Sequence, residues 1–136
     1  MTPLSPVEAF AVFLSATERL DIAPFLALLD DDVILRFPYM PGDRPKQCAG
    51  RVQAVEFLKI IPALFTHFRW VEPRVYATDD PELAIVVASS SATLTTGDQY
   101  DNDYVLFLRV RDGKVVEYRE HFDPARAQPA FEAIGA

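Results

Sequence analysis

The sequence predicts an α+β domain in which helices from the first half of the chain cover one face of a curved, mostly antiparallel sheet and enclose an apolar pocket. Three observations predict it. Helical periodicity dominates up to about residue 66, period-two alternation dominates from Arg69 onward, and helices followed by a run of strands is an α+β layout. Ten Phe and five Tyr in 136 residues are more ring surface than a core of this size needs, so some rings are expected to line a cavity.

Ser5-Pro6-Val7-Glu8 supplies an N-cap, a proline at the first helical position and a glutamate at N3, which predicts a helix over about 5–20 with Phe10, Phe13, Leu14 and Thr17 on one stripe. Asp21 is placed to cap a short second helix through Pro24, Phe25, Leu26 and Leu29, ended by Asp30-Asp31-Asp32. Val33, Leu35, Phe37 and Tyr39 alternate as one apolar strand face until Pro38 and Pro41-Gly42 stop it. A loop runs to Gly50. Val52, Val55, Phe57, Leu58, Ile61, Leu64 and Phe65 then mark a third helix to about 66, thinned near its end by Pro62.

Strands are expected at about 69–78, 82–95, 99–111 and 114–122, divided by Asp79-Asp80-Pro81, Thr96-Gly97-Asp98 and Asp112-Gly113. The Asp-Gly pair is the strongest hairpin signal. Asp123-Pro124 opens a helical tail with Phe131 and Ile134 as its buried candidates. Nothing in residues 1–136 reads as a linker or a repeat, so one domain is expected.

Thirteen basic against 20 acidic residues leave a charge of −7 without a basic cluster, so no nucleic-acid partner is expected. The first residues lack a basic and apolar leader, and no apolar stretch approaches a membrane span; a cytoplasmic protein with no membrane partner is expected. Cys48, the single cysteine, has only His67 and His121 as soft co-ligands. Neither a metal site nor a cofactor is expected, and Cys48 reads as an inert loop thiol.

Alternation in the last strand points Val116, Tyr118, Glu120 and Phe122 one way and Val115, Glu117, Arg119, His121 and Asp123 the other. In the strand before it, Tyr100, Asn102, Tyr104, Leu106, Leu108 and Val110 share a face, with Asp101, Asp103, Arg109 and Arg111 opposite. Glu120 is then the one charge on the inner face of either strand. Burial disfavours a carboxylate, and a pKa raised towards neutrality suits proton transfer. Tyr100, Asn102, Tyr104 and Tyr118 are candidates to orient a substrate oxygen, with Tyr39 and Trp70 as flat walls. The structural alternative pairs Glu120 with an inward arginine such as Arg74. His67 reads as a neighbour of the third helix's C-terminus, and His121 as exposed or at an interface.

Tyr100-x-Asn102-x-Tyr104, the Asp112-Gly113 turn and Arg119-Glu120-His121-Phe122-Asp123-Pro124 resemble the SnoaL-like polyketide cyclases and the phenazine-biosynthesis A/B proteins of the nuclear transport factor 2-like superfamily. Trp70, the Thr78-Asp79-Asp80-Pro81 turn and the helix start at Gly50 match as well, so the resemblance spans about residues 5–131. It implies a cone-shaped, cystatin-like sheet closed by helices, and a homodimer packed through the outer sheet face around Val105, Phe107 and Arg109. It also implies that Glu120 matches the acid/base residue of the phenazine proteins, whose partner histidine falls near Phe57. The ketosteroid isomerase base falls near Phe37, its oxyanion-hole aspartate near Leu106, and the cyclase acid near Glu120 or Asp123.

The reading that follows is an isomerase, cyclase or dehydratase acting on a small hydrophobic carbonyl compound, with Glu120 moving the proton and Tyr104 or Asn102 polarising an oxygen. Two other readings are a non-catalytic module that binds a hydrophobic ligand in the same pocket, and a dimerisation domain whose pocket is filled by its own Phe side chains.

Overall fold

Ser5 caps the first helix, α1 (Pro6–Glu18), by the reciprocal pair that Ser-x-x-Glu spacing predicts. Its hydroxyl accepts from Glu8 N at 3.1 Å, and Glu8 Oε1 accepts from Ser5 N at 3.0 Å. The structure, a computed structural model, describes residues 2–134. Phe10, Phe13 and Thr17 are buried where α1 lies across the sheet.

Asp21 Oδ1 accepts from Ala23 N at 3.3 Å at the start of α2 (Ala23–Leu26). The helix ends sooner than the sequence suggests, because Leu29 and the acidic run belong to β1 (Leu29–Arg36). Leu29 pairs with Val115, and the ladder is irregular up to Ile34, which lets Asp31 and Asp32 stand in water. The expected loop up to Gly50 contains a short strand, β2 (Gln47–Ala49), on the sheet edge.

The third helix is two pieces, α3 (Arg51–Leu58) and α4 (Ile60–Leu64). Pro62 has no N–H to return to the Leu58 carbonyl, so the interruption falls one turn before the proline. The chain then enters β3 (Phe65–Ala77) about four residues ahead of expectation. His67 is therefore an exposed strand residue, not a neighbour of a helix C-terminus.

β3 continues through β4 (Leu83–Leu94), β5 (Gln99–Arg111) and β6 (Lys114–Phe122) as an antiparallel meander, followed by α5 (Gln128–Ala133). The sheet order is β2-β1-β6-β5-β4-β3. β1 and β6, from opposite ends of the chain, pair in parallel. Asp112 and Gly113 have φ of 52° and 77°, the positive values that a type I′ hairpin needs.

Of the register shifts in the sheet, two bear on which side chains face inward. One interrupts β3 between Val71 and Arg74, where Glu72 takes φ 49° just before Pro73. The other leaves Val116 unpaired between the Arg109–Glu117 and Val110–Val115 pairs. That extra residue turns Val115 into the core, fully buried, and leaves Val116 half-buried, the reverse of what unbroken alternation predicts. Beyond it Tyr118 and Phe122 face inward as expected. In the tail, Ala127 and Ala130 are buried while Ile134 is exposed, because α5 lies along the rim of the inner face.

Helix and sheet are joined by a buried hydrogen bond from Trp70 Nε1 to Thr17 Oγ1 at 2.7 Å. Thr17→Val keeps the shape and strands the indole N–H. It is expected to lower stability by about 1–3 kcal/mol in urea unfolding; a loss below about 0.5 kcal/mol, the range of a neutral surface change, would show that the contact does not hold α1 in place.

Candidate functional site

A cavity of about 150 Å³ lies between the helices and the inner face of the sheet. Its existence follows from side-chain size. β4 presents Ala88, Ser90 and Ala92 inward beside Tyr104, Asn102 and Tyr100 of β5, and small residues on one strand leave space between the rings on its neighbours. A pocket collapsed onto its own Phe side chains is not what the chain forms.

The walls are aromatic and aliphatic: Phe13 from α1, Trp70 from β3, Tyr118 and Phe122 from β6, and Phe131 from α5. The Phe37 and Phe57 rings meet at 4.5 Å between centroids and line it too. Leu106 is fully buried. Three positions that the family resemblance associates with working groups are thus occupied by apolar contacts. Among the described residues that line the cavity, Glu120 is the one carboxylate, and no Lys, Arg or His lines it.

Glu120 is half-buried as a residue, with its side chain turned to the cavity. Burial raises its pKa from 4.5 to about 7, against a smaller opposing effect from the Tyr118 hydroxyl. That hydroxyl donates to Glu120 Oε1 at 2.5 Å. No arginine pairs with it among the described residues, and Arg74, the partner considered from sequence, is exposed on the opposite sheet face. Tyr118 is itself buried, and desolvation together with the neighbouring carboxylate pushes its phenol well above the usual value.

Tyr100 and Tyr104 line the same cavity, and burial raises both phenols. Ser90 Oγ donates to Tyr104 Oη at 3.2 Å. Asn102, between them on β5, is fully buried with its amide spent on protein: Oδ1 accepts from Asp103 N and Asp123 N, while Nδ2 donates to Asp123 O and Tyr100 Oη. It holds the end of β6 and is not among the lining residues. Trp70 forms wall, with its N–H committed to Thr17.

Tyr39 is not brought to this site. β1 ends at Arg36, and a turn closed by Met40 N on Phe37 O at 3.1 Å swings Tyr39 outward and Met40 inward. Tyr39 is 54% exposed and packs edge-on against His121. Met40 lines the cavity in its place, and the turn residues Pro38 and Pro41-Gly42 were the sequence signal that alternation had stopped. Asp123 faces the outer groove with His121 and Asp103, which separates it from Glu120. Among the described residues, no cluster of three or more His, Cys, Asp or Glu could hold a metal, and Cys48 is half-buried with its thiol pushed up by burial. No helix among them is long and apolar enough to cross a membrane.

A family model described as a SnoaL-like domain matches residues 10–118. An uncharacterised PhzA/B-like protein of Pseudomonas aeruginosa is 29% identical over 120 residues, covering 88% of this chain and 84% of that one. Among solved structures, a candidate isomerase from Bacillus subtilis has a TM-score of 0.84 at 25% identity, covering 94% of this chain and 93% of the other. A candidate polyketide cyclase from Pseudomonas putida has a TM-score of 0.76 at 17% identity, covering 90% and 94%, which shows a common fold. Proteins described as nuclear transport factor 2-like share that fold.

The Glu120 environment has a measurable sign. A carboxyl whose pKa is 4.5 unfolded and about 7 folded favours the folded state when protonated, so its contribution is present below about pH 4.5 and is lost as pH rises through 7. Glu120→Gln is therefore expected to gain stability on wild type between pH 5 and 8, by up to ~3 kcal/mol. Carboxyl carbon NMR should place the titration near 7, and Tyr118→Phe should move it higher. A midpoint near 4.5 with no stability difference would contradict the buried-acid description.

Proposed function

This chain belongs to the SnoaL-like domain family, and on that footing we propose that it catalyses proton transfer on a small hydrophobic carbonyl compound, as an isomerase, cyclase or dehydratase. One observation carries the reading: a carboxyl with a pKa of about 7 opens onto an aromatic cavity free of basic side chains among the described residues. A base with a pKa near the ambient pH combines a useful ionised fraction with enough basicity to take a proton from carbon.

In this reading Glu120 as carboxylate takes a proton from the carbon next to, or conjugated with, the substrate carbonyl. The same carboxyl then returns it at another position of the substrate, or to a leaving hydroxyl. Tyr118 holds one carboxylate oxygen through its 2.5 Å hydrogen bond and leaves the other to face the substrate. Tyr104 supports the carbonyl oxygen as charge moves onto it. Asn102 has no free donor and acts on the protein side of the site.

A second reading, a binding module for a hydrophobic ligand, is favoured by the Phe37–Phe57 pair, which leaves the acid without an ionisable partner. The same experiment separates the two. 2-Indanone carries exchangeable protons beside its carbonyl and matches the flat walls. Wild type in deuterated buffer is expected to speed their exchange above buffer, with a rate that climbs with pH through about 7 as the carboxylate forms. Glu120→Gln should cut that rate roughly 10²- to 10⁴-fold. Equal exchange in the two proteins would leave the binding module.

A homodimer belongs to the same proposal. The outer sheet face exposes Val87 at 44%, Val105 at 36% and Tyr76 at 47%, while Arg119 lies over the Phe107 ring at 4.2 Å beside His121. Light scattering is expected to give twice the 15.3 kDa chain mass, and Val105→Glu to return it to one; a wild-type mass of one chain would remove the dimer.

A further inference from the structure

The chain after β6 is fixed firmly at one point and loosely beyond it. Asn102 accepts from Asp123 N at 2.9 Å and donates to Asp123 O at 3.1 Å, so one buried side chain holds both backbone polar groups of Asp123. Exposed Pro124 and Ala125 then lead to Arg126, whose ion pair with Asp103 at 3.4 Å lies in water. Among the described residues, every hydrogen bond made by residues 127–134 has its partner between residues 123 and 134. Side-chain packing is what holds this segment to the fold.

The same segment roofs the cavity, which Ala127, Ala130, Phe131 and Ile134 all line. Its packing includes Phe122 against Phe131, with centroids 6.3 Å apart. α4 forms another part of the rim through half-buried Ile60, Ile61 and Leu64. That helix is tied down, because Leu64 O accepts from Thr95 N at 2.9 Å and the chain runs straight on into β3. Of the two covers, α5 is the one free to lift.

Arg44, in the loop between β1 and β2, lays its guanidinium over the Phe131 ring at 4.5 Å from the centroid. Its Nη1 reaches the Pro41 carbonyl only at 3.5 Å, and its Nε is buried without a hydrogen-bond partner among the described residues. A cation over a ring face is attracted to it, and lifting the ring would let water reach Nε and offset part of what is lost. Such a contact keeps a segment closed without locking it.

We propose that residues 127–134 are a hinged cap, pivoting at the Asp123 that Asn102 clamps and latched by Arg44, and that a neutral ring ligand enters and leaves the cavity by lifting it. This rests on the reading of the cavity as a ligand site and adds the route into it. Asn102, whose amide is spent on the protein, supplies the fixed end of the hinge. A few residues at the end of an element can absorb the rotation that such a motion needs.

Stopped-flow fluorescence tests the proposal with 2-indanone as the probe, because Trp70 is the single tryptophan and lines the cavity. Arg44→Gln removes the cation and keeps most of the side chain's length. A weakened latch raises the open fraction, so association and dissociation rates are both expected to climb roughly 3- to 10-fold with the dissociation constant within about twofold of wild type. Arg44→Lys, which keeps a cation, should fall between the two. Pro124→Gly loosens the pivot at an exposed position and is expected to give the same paired rise; it decides the matter should Arg44→Gln not fold.

A rise in the dissociation rate and dissociation constant alone would make Arg44 a support of the binding wall and overturn the latch. If 2-indanone binds wild type and both rates stay within twofold in Arg44→Gln and Pro124→Gly, the cap is overturned while the pocket reading stands. If 2-indanone does not bind wild type, the pocket reading fails and the cap with it.

Discussion

A carboxyl placed in an aromatic wall, with one hydrogen bond and no counter-ion, is the constraint around which the site is organised. The hydrogen bond from Tyr118 favours the charged form of Glu120 and burial disfavours it more strongly. The balance leaves a group that can hold or release a proton near neutrality. An arginine in Arg74's expected position would have tipped the balance to a permanent carboxylate. Instead the β3 bulge and strand alternation leave Arg74 on the outer face, where it shares a groove with Asp103 and His121.

The polar groups near the cavity divide into those spent on the protein and those left for a ligand. Trp70 N–H is spent on Thr17, and the Asn102 amide on backbone and Tyr100. Their burial is tolerable because their hydrogen-bonding capacity is met. Glu120 and Tyr118 are different, since both line the cavity and the hydrogen bond that Tyr118 donates runs between them. In a wall that is otherwise hydrocarbon, those few atoms decide what orientation a bound molecule takes.

Much of this was legible in the sequence where local chemistry dictates structure. The Ser5–Glu8 box, the Asp112-Gly113 turn and the alternation from Glu117 to Phe122 each depend on neighbours in the chain, and each placed its residues correctly. What was not legible depends on partners distant in sequence. β2 is three residues long and exists only because β1 lies beside it. The Val116 bulge follows from how β6 accommodates β5, and no residue type announces it. Asn102 looked like a ligand-binding amide by its place between two tyrosines; its capacity is consumed by Asp123, which lies 21 residues away. Alternation carried past Pro38 predicts Tyr39 on the inner face, and the turn that the proline signals swings it outward instead.

In the proposed reading, the apolar pair Phe37–Phe57 bears on why a lone acid can suffice. A second ionisable group close to Glu120 would either hold it charged, if basic, or push its proton affinity higher still, if acidic. Two rings with centroids 4.5 Å apart do neither. Under the proposed function, the absence of such partners among the described lining residues narrows the chemistry to what one proton-transfer residue and neutral donors can accomplish. It also keeps the pocket neutral when Glu120 is protonated, so uncharged ring compounds face no electrostatic barrier on the way in. No cation is among the described lining residues, and the Arg44 guanidinium lies over the Phe131 ring at 4.5 Å.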